Sequence, residues 1–242
     1  MSAGKNLNRR RFLTALAGAV GLGAIWRLFM RRNSVFLEKG ATRRDADRLP
    51  PGQHWIGDLV EYSAGGRPRI DEASWKISID GLVERPLEFD LKEFKALPHV
   101  DEVQDFHCVT TWSVRDCLWR GVRLADLLTM AGVRSEAAHV FVECYGGYST
   151  NFPLAVALMP DVLLADEYRR KPLEHRFGGP VRLVVPPLYA YKSAKWVNRI
   201  MLVAQERLGY WERNGYSNQA DPWKEQRWSR DDTRISGDKR GF

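Results

Sequence analysis

Pro180-Val181-Arg182-Leu183-Val184-Val185 is an apolar run with a guanidinium in it, closed by Pro186-Pro187. Such a run, bounded by prolines, reads as a buried strand. A buried strand carries an arginine only where the side chain finds a partner or an exit to a cleft. The fold must therefore enclose this strand and still leave a polar hollow beside it. A phosphate is a fitting partner, since guanidinium binds it through paired hydrogen bonds and ammonium as a point charge. Lys192-Ser193-Ala194-Lys195-Trp196 follows closely, so that Lys192, Lys195, Ser193 and the backbone of Ala194 can complete a cradle. Most other basic residues of the body read as a solvated face.

The rest of the body reads as short strands with few helices. Trp75, Ile77 and Ile79 alternate with polar neighbours and run into the turn Asp80-Gly81; Leu87 and Phe89 begin a second strand. Asp90 with Glu93 is a capping pair for a helix that Pro98 ends. Leu124, Leu127, Leu128 and Ala131 repeat at helical spacing before Gly132, which marks core packing and a C-terminal cap. Residues 103–109, 139–143, 148–152, 181–185 and 196–203 read as strands, with Pro153 opening a short helix. This pattern predicts an α+β domain with mixed sheets instead of a doubly wound parallel sheet. There is no Gly-x-Gly-x-x-Gly or Walker sequence to hold a nucleotide.

The strand over residues 103–109 delivers Cys108 near its end, ahead of Thr110, Thr111 and Trp112. A lone cysteine is ordinarily a small buried hydrophobe. At a strand end beside hydroxyls it falls on a loop, where function concentrates. A thiolate there selects a thiophilic or higher-valent metal, which deprotonates the sulfur on binding. The other cysteines, Cys117 and Cys144, make an odd total of three, with no Cys-x-x-Cys or Cys/His zinc spacing.

The 242 residues carry a net charge of +7, but it is concentrated at one end: residues 1–48 hold 11 Lys/Arg against 3 Asp/Glu, and the remainder 26 against 27. A near-neutral body has little counterion release to drive nucleic-acid binding, so nucleic acid is dropped as a partner. Arg9-Arg10-Arg11-Phe12-Leu13 precedes the uncharged run 13–26, and the pair before Phe-Leu resembles a twin-arginine export signal. No small-x-small cleavage site follows, which makes residues 12–30 a candidate membrane anchor. The expected organisation is a leader over 1–32, a linker over 33–49, one domain over 50–228 and a disordered tail over 229–242.

Phe106-His107-Cys108-Val109-Thr110 with Trp112, Trp119-Arg120-Gly121-Val122, the stretch 178–186 and Tyr191-Lys192-Ser193-Ala194-Lys195-Trp196 occur in this order. Together they resemble the molybdopterin-binding oxidoreductase domain of the sulfite oxidase family over about residues 50–228. The resemblance is nearest to small bacterial members carrying stretches like Gly209-Tyr210-Trp211-Glu212 and Asp221-Pro222-Trp223, and more distant to the periplasmic methionine sulfoxide reductase catalytic subunit. It implies a single domain with mixed sheets and a molybdenum-molybdopterin cofactor. Cys108 would be the protein thiolate on the metal and the catalytic centre. Arg182, Ser193, Ala194 and Lys195 would hold the pterin and its phosphate, Cys144 would be a further pterin contact, and Gln53 and His54 would supply the N-terminal contacts. His107 would support the ligand from behind. Two positions depart from the family pattern. Phe177 stands five residues before the strand arginine, where His or Asn is usual, with His175 two residues earlier; Gly146 stands where an acidic residue is common.

The implied activity is two-electron oxygen-atom transfer on a small sulfur oxyanion or a sulfoxide, in a protein exported folded to the periplasm. Electrons would pass to or from a separate partner, a membrane haem protein or a cytochrome. A sulfite site asks for an arginine-lined entrance, for which Arg115 and Arg120 are candidates; a sulfoxide tolerates an aromatic one, for which Trp112, Tyr148 and Tyr189 are candidates. The first alternative is a non-enzymatic exported module whose Cys108 is structural or disulfide-bonded to Cys117 or Cys144. The second is a membrane-surface protein using its basic leader and the Trp-rich segment 210–228, whose aromatics lack helical spacing.

Overall fold

A computed structural model describes residues 48–232. The expected leader and anchor and most of the linker lie outside the described residues. In chain order the elements are β1 (His54–Trp55), β2 (Lys76–Gly81), β3 (Leu87–Asp90), α1 (Leu91–Lys95), β4 (Val100–His107), β5 (Trp112–Arg123), α2 (Leu124–Ala131), β6 (His139–Cys144) and β7 (Ser149–Pro153). They continue with α3 (Leu154–Ala157), β8 (Leu163–Tyr168), β9 (Lys171–Pro172), β10 (Arg182–Val184), β11 (Val197–Val203) and α4 (Tyr210–Arg213).

Two mixed sheets result. The first has the order β1-β5-β8-β10, with β4 paired to β5 and β9 to β8; the second has the order β3-β2-β11-β6-β7. Each contains one parallel pair, β1 with β5 and β11 with β2, and is otherwise antiparallel. This is the α+β, mixed-sheet architecture that the strand pattern predicts.

Local sequence accounts for several element ends. Asp90 accepts from Glu93 N at 2.7 Å while Glu93 accepts from Asp90 N at 3.0 Å, a reciprocal cap that starts α1. Helix α2 buries Leu124, Leu127, Leu128 and Ala131 and stops at left-handed Gly132. Pro153 opens α3.

Strand β5 departs from the sequence reading. Its twelve residues were not anticipated as a strand, because exposed Arg115 and Asp116, the latter at φ +52°, break the inside–outside alternation halfway. The β5–β8 register shifts between Arg120 and Gly121, and a Cβ at Gly121 would lie 2.1 Å from Leu164 O, so only glycine lets the two strands meet there.

The start of the expected tail is ordered. Ser229–Asp231 forms a 3-10 turn, Asp231 caps Trp228 N at 2.8 Å, and the Asp232 carboxylate takes Ser217 Oγ and Asn218 N. The charge of this stretch serves internal capping, which a reading of low hydrophobicity as disorder overlooks. Among the described residues no helix is long and apolar enough to cross a membrane.

Candidate active site

The β4–β5 hairpin turns through Cys108, Val109, Thr110 and Thr111. Cys108 N donates to Trp112 O at 2.8 Å and Thr111 N to Cys108 O at 3.0 Å, and Thr111 takes φ +81° to close the loop. A threonine in that region stores strain of the kind found at functional loops. The sulfur lies 3.1 Å from the Thr110 hydroxyl. Burial pushes the Cys108 thiol up, opposed by the Thr110 hydroxyl and by the charge of Arg227.

Behind the loop runs a chain of hydrogen bonds. Gln53 Nε2 donates to Cys108 O at 3.1 Å, and Gln53 Oε1 accepts from Ser113 Oγ at 3.2 Å. With its proton committed there, the Ser113 oxygen accepts from His107 Nδ1 at 2.9 Å. Burial holds His107 down at about 4, so it is neutral near pH 7 and can play this donor part. On the other side the Arg227 guanidinium donates to Val109 O.

Arg182 is fully enclosed on β10. Its Nη1 donates to Phe177 O at 2.9 Å, Nη2 to Ser193 O at 2.8 Å and Nε to Leu183 O at 3.3 Å, and its carbon lies 5.3 Å from the Phe106 and Trp119 ring centres. Among the described residues no carboxylate pairs with it. Burial lowers Arg182 to about 10, which still leaves it protonated at neutral pH. Phe177, where the family pattern has a polar side chain, supports the arginine through its backbone carbonyl. Lys195 stands beside it, donating to Arg176 O at 2.9 Å, and is pushed down to about 8 by burial and by the Arg182 charge. Gly178, at φ +110°, separates the two: a Cβ there would lie 2.9 Å from Lys195 Cβ and 3.0 Å from Arg182 Cβ. The glycine lets the backbone pass tightly between the stems of these two side chains.

Cys108 and the Arg182–Lys195 pair line one cavity of about 410 Å³, and among the described residues they are its only cysteine and its only charged side chains. The remaining wall is largely aromatic, with Tyr62, Trp112, Tyr148, Tyr191, Trp211 and Tyr216. Ser193 and Ala194 also line it. Ser193 Oγ accepts from Val185 N at 2.9 Å, and the Ala194 backbone is engaged with Lys192 O and Leu183 N, so the expected free amide of Ala194 is already bonded.

Other expected contacts fall elsewhere. His54 is exposed, its amide bonded to Thr111 O at 2.9 Å, and it does not line the cavity; the N-terminal stretch that does is Leu59, Val60, Tyr62, Ser63 and Ala64. Gln53 acts through the Cys108 carbonyl instead of the hollow. Cys144 is buried at the β6 end, opposite Val197, outside the lining. Lys192 is entirely buried 2.6 Å from Glu212 Oε1 and takes no part in the cradle. Arg115 lies over the Trp55 ring at 4.7 Å, and Arg120 pairs with Asp101 and Glu167. Neither lines the cavity; of the aromatic set, Trp112 and Tyr148 do and Tyr189 does not. His175 meets Trp196 at 5.6 Å between ring centres. All three cysteines are free thiols, which removes the disulfide version of the structural alternative.

The donor set is informative. Among the described residues no three His, Cys, Asp or Glu side chains gather to hold a metal, so a metal at Cys108 needs most of its ligands from a bound group. Two cations lining the same cavity, Arg182 and Lys195, suit the anionic end of such a group. The residues therefore fit a metal carried on an anionic organic cofactor.

That arrangement defines a class, a cofactor-dependent oxidoreductase with its thiol on a hairpin of a two-sheet domain. Comparison with known proteins supplies the family. The family described as "Oxidoreductase molybdopterin binding domain" matches residues 64–211. "Uncharacterized oxidoreductase YuiH" of Bacillus subtilis (strain 168) is 37% identical over 195 residues, which are 79% of this chain and 98% of that protein. The "protein-methionine-sulfoxide reductase catalytic subunit MsrP" of Campylobacter jejuni is 30% identical over 210 residues, covering 75% of this chain and 70% of that one. The solved structure of the sulfane dehydrogenase SoxCD from Paracoccus pantotrophus shares the fold, with a TM-score of 0.58 at 23% identity over 66% of this chain and 44% of that one. The chain belongs to the oxidoreductase molybdopterin binding domain family. It is a sulfite oxidase-like enzyme whose cofactor is molybdopterin.

Proposed function

We propose that the protein exchanges an oxygen atom and two electrons with a neutral, sulfoxide-type substrate. In this reading Cys108 is the ligand to molybdenum, and Arg182, Lys195 and Ser193 hold the pterin and its phosphate. The cofactor, when bound, supplies the two-electron oxygen-atom chemistry. In the reducing direction a sulfoxide, two electrons and two protons become a sulfide and water.

The chain's own residues bind and enclose. Arg182 and Lys195 offset anionic charge at one end of the hollow, while Tyr62, Trp112 and Tyr216 exclude water from the rest. One observation carries the choice of substrate: no cation beyond Arg182 and Lys195 lines the cavity among the described residues. An incoming sulfite would have only the two groups that the cofactor's own phosphate needs. A neutral sulfoxide pays no such desolvation cost. The relative named as a methionine sulfoxide reductase catalytic subunit supports the same reading.

The test is steady-state turnover of protein purified from a molybdopterin-competent host, with molybdenum measured per chain. A neutral sulfoxide should exceed sulfite at least about tenfold in kcat/KM, the preference expected from leaving one charge unpaired. Equal or better use of sulfite overturns the assignment.

We also propose export of the folded protein by the twin-arginine route to the periplasm and electron exchange with a separate redox protein. Arg9-Arg10-Arg11-Phe12-Leu13 supports the route, since a chain loaded with cofactor before crossing must cross folded. Replacing Arg9 and Arg10 by lysine should strand the loaded protein in the cytoplasm, as cell fractionation would show.

A further inference from the structure

Two hydrogen bonds on the Cys108 loop come from outside the family-matched stretch, which covers residues 64–211. Gln53 lies before it and donates to Cys108 O. Arg227 lies after it and donates to Val109 O. The two donors also belong to touching segments. A Cβ at Gly52 would lie 2.8 Å from Glu225 Oε1 and 3.3 Å from Arg227 Nη2, and Gly52 takes φ +66° to pass them.

Each side of this contact is anchored independently. Gln53 is held by the Ser113–His107 chain within β4 and β5. Arg227 lies over the Tyr189 ring at 5.2 Å, and its backbone is bonded to Ser217 N and Glu225 O. The peptide groups on both sides of Val109 are thus gripped from two ends of the described chain. The loop's own bonds, Cys108 N to Trp112 O and Thr111 N to Cys108 O, close the turn but leave the Val109 carbonyl to Arg227.

We infer that Gln53 and Arg227 form a joined clamp whose task is to set the direction of the Cys108 sulfur, making both of them positioning residues for the site. The inference deepens the proposed cofactor reading and rests on it for its purpose, but the clamp can be tested without cofactor. Neither side chain reaches the hollow: neither lines it, and both act through backbone carbonyls beside the sulfur. Sulfur orientation relative to a bound metal decides orbital overlap, so a loop that swings freely degrades the site even when the fold is intact.

The experiment uses the full chain from a molybdopterin-deficient host, with Gln53→Met, Arg227→Met and Arg227→Lys beside the parent. Alkylation by iodoacetamide is followed at each cysteine by peptide mass spectrometry. Loss of the Gln53 bond should speed labelling of Cys108 about fivefold, the factor matching one net hydrogen bond. Arg227→Met, which also removes a charge that favours the Cys108 thiolate, should do the same once rates are compared at equal thiolate. Cys117 and Cys144 should keep the parent rate, which separates a swinging loop from a loosened core, and Arg227→Lys should restore most of the protection.

The same variants loaded with cofactor and partly reduced should show an altered spread of molybdenum(V) g values in electron paramagnetic resonance. Parent-like labelling of Cys108 in both methionine variants overturns the clamp. So does equal acceleration at all three cysteines. If Arg227→Met fails to fold, Gln53→Met decides: it is neutral, close in size and lacks the donor to Cys108 O, and parent-like labelling there is equally fatal. Parent protein without molybdenum from a competent host would instead defeat the cofactor reading and leave the labelling result to judge the clamp.

Discussion

Lys192 and Arg182 are neighbouring buried cations that the fold treats in opposite ways. Lys192 is closed off: its ammonium meets Glu212 at 2.6 Å and Asn151 O at 2.8 Å, and Thr150 Oγ1 donates to the same Glu212 oxygen at 2.7 Å. Arg182 has carbonyls and aromatic faces but, among the described residues, no carboxylate, and it lines the hollow that Cys108 shares. One charge is neutralised by a protein carboxylate, and the other lines the cavity with only carbonyls and aromatic faces around it among the described residues. Where a buried cation finds its counter-charge, more than its burial, separates structure from function.

The comparison can be broken by substitution, beginning at the thiol both readings depend on. Cys108→Ser should lower turnover to background with a parent-like melting temperature; full activity with normal molybdenum removes the ligand assignment. Next in size is Lys192→Met, which strands the Glu212 carboxylate in the core at a cost of about 3–5 kcal/mol. That corresponds to about 10 °C in melting temperature. The loss should be equal with and without cofactor; a loss seen only in loaded protein would return Lys192 to the site.

Arg182→Lys should behave differently. It retains charge and loses the planar fork, so cofactor loading should raise the melting temperature less than in the parent, with affinity down by about tenfold or more. The readout is the loaded-minus-unloaded difference in calorimetry, and an unchanged difference contradicts the cradle. Lys195 offers a smaller, pH-dependent effect. An anionic guest prefers the protonated lysine, whose free-site pKa is about 8. Affinity should therefore hold below that pH and fall by at most about tenfold per pH unit above it. Lys195→Met should flatten the curve, and a parent curve that is already flat would place the phosphate elsewhere. The smallest effect is expected for Arg115→Ala, whose guanidinium rests on Trp55 outside the hollow; kcat/KM should change less than about twofold. A large loss on sulfite would reopen the anionic-substrate reading.

The sequence made some of these features legible and hid others. The caps at Asp90 and Gly132 and the apolar stripe of α2 depend on neighbours within a few residues, and each appears where the pattern predicts it, whereas the expected turn at Asp80-Gly81 is the paired end of β2 against β11. Arg182 was recognisable because a charge inside an apolar run needs a local explanation. Lys192 was not separable from Lys195, because the deciding carboxylate lies on α4 and meets it only through tertiary folding. His54 and Cys144 were placed by analogy of position, and one-residue differences in strand phase turn such residues away from a cavity. Strand β5 was invisible for a related reason: its bulge at Arg115 and Asp116 breaks the alternation that marks strands. Arg227 carried no signal among many charged residues, since its partner is a backbone carbonyl far away in the chain.

Trp211 and Tyr216, which wall the hollow, and Arg227, which grips the hairpin, all come from the stretch that follows β11. One stretch thus both encloses the hollow and steadies its sulfur-bearing turn, so that a change there is felt at wall and floor together.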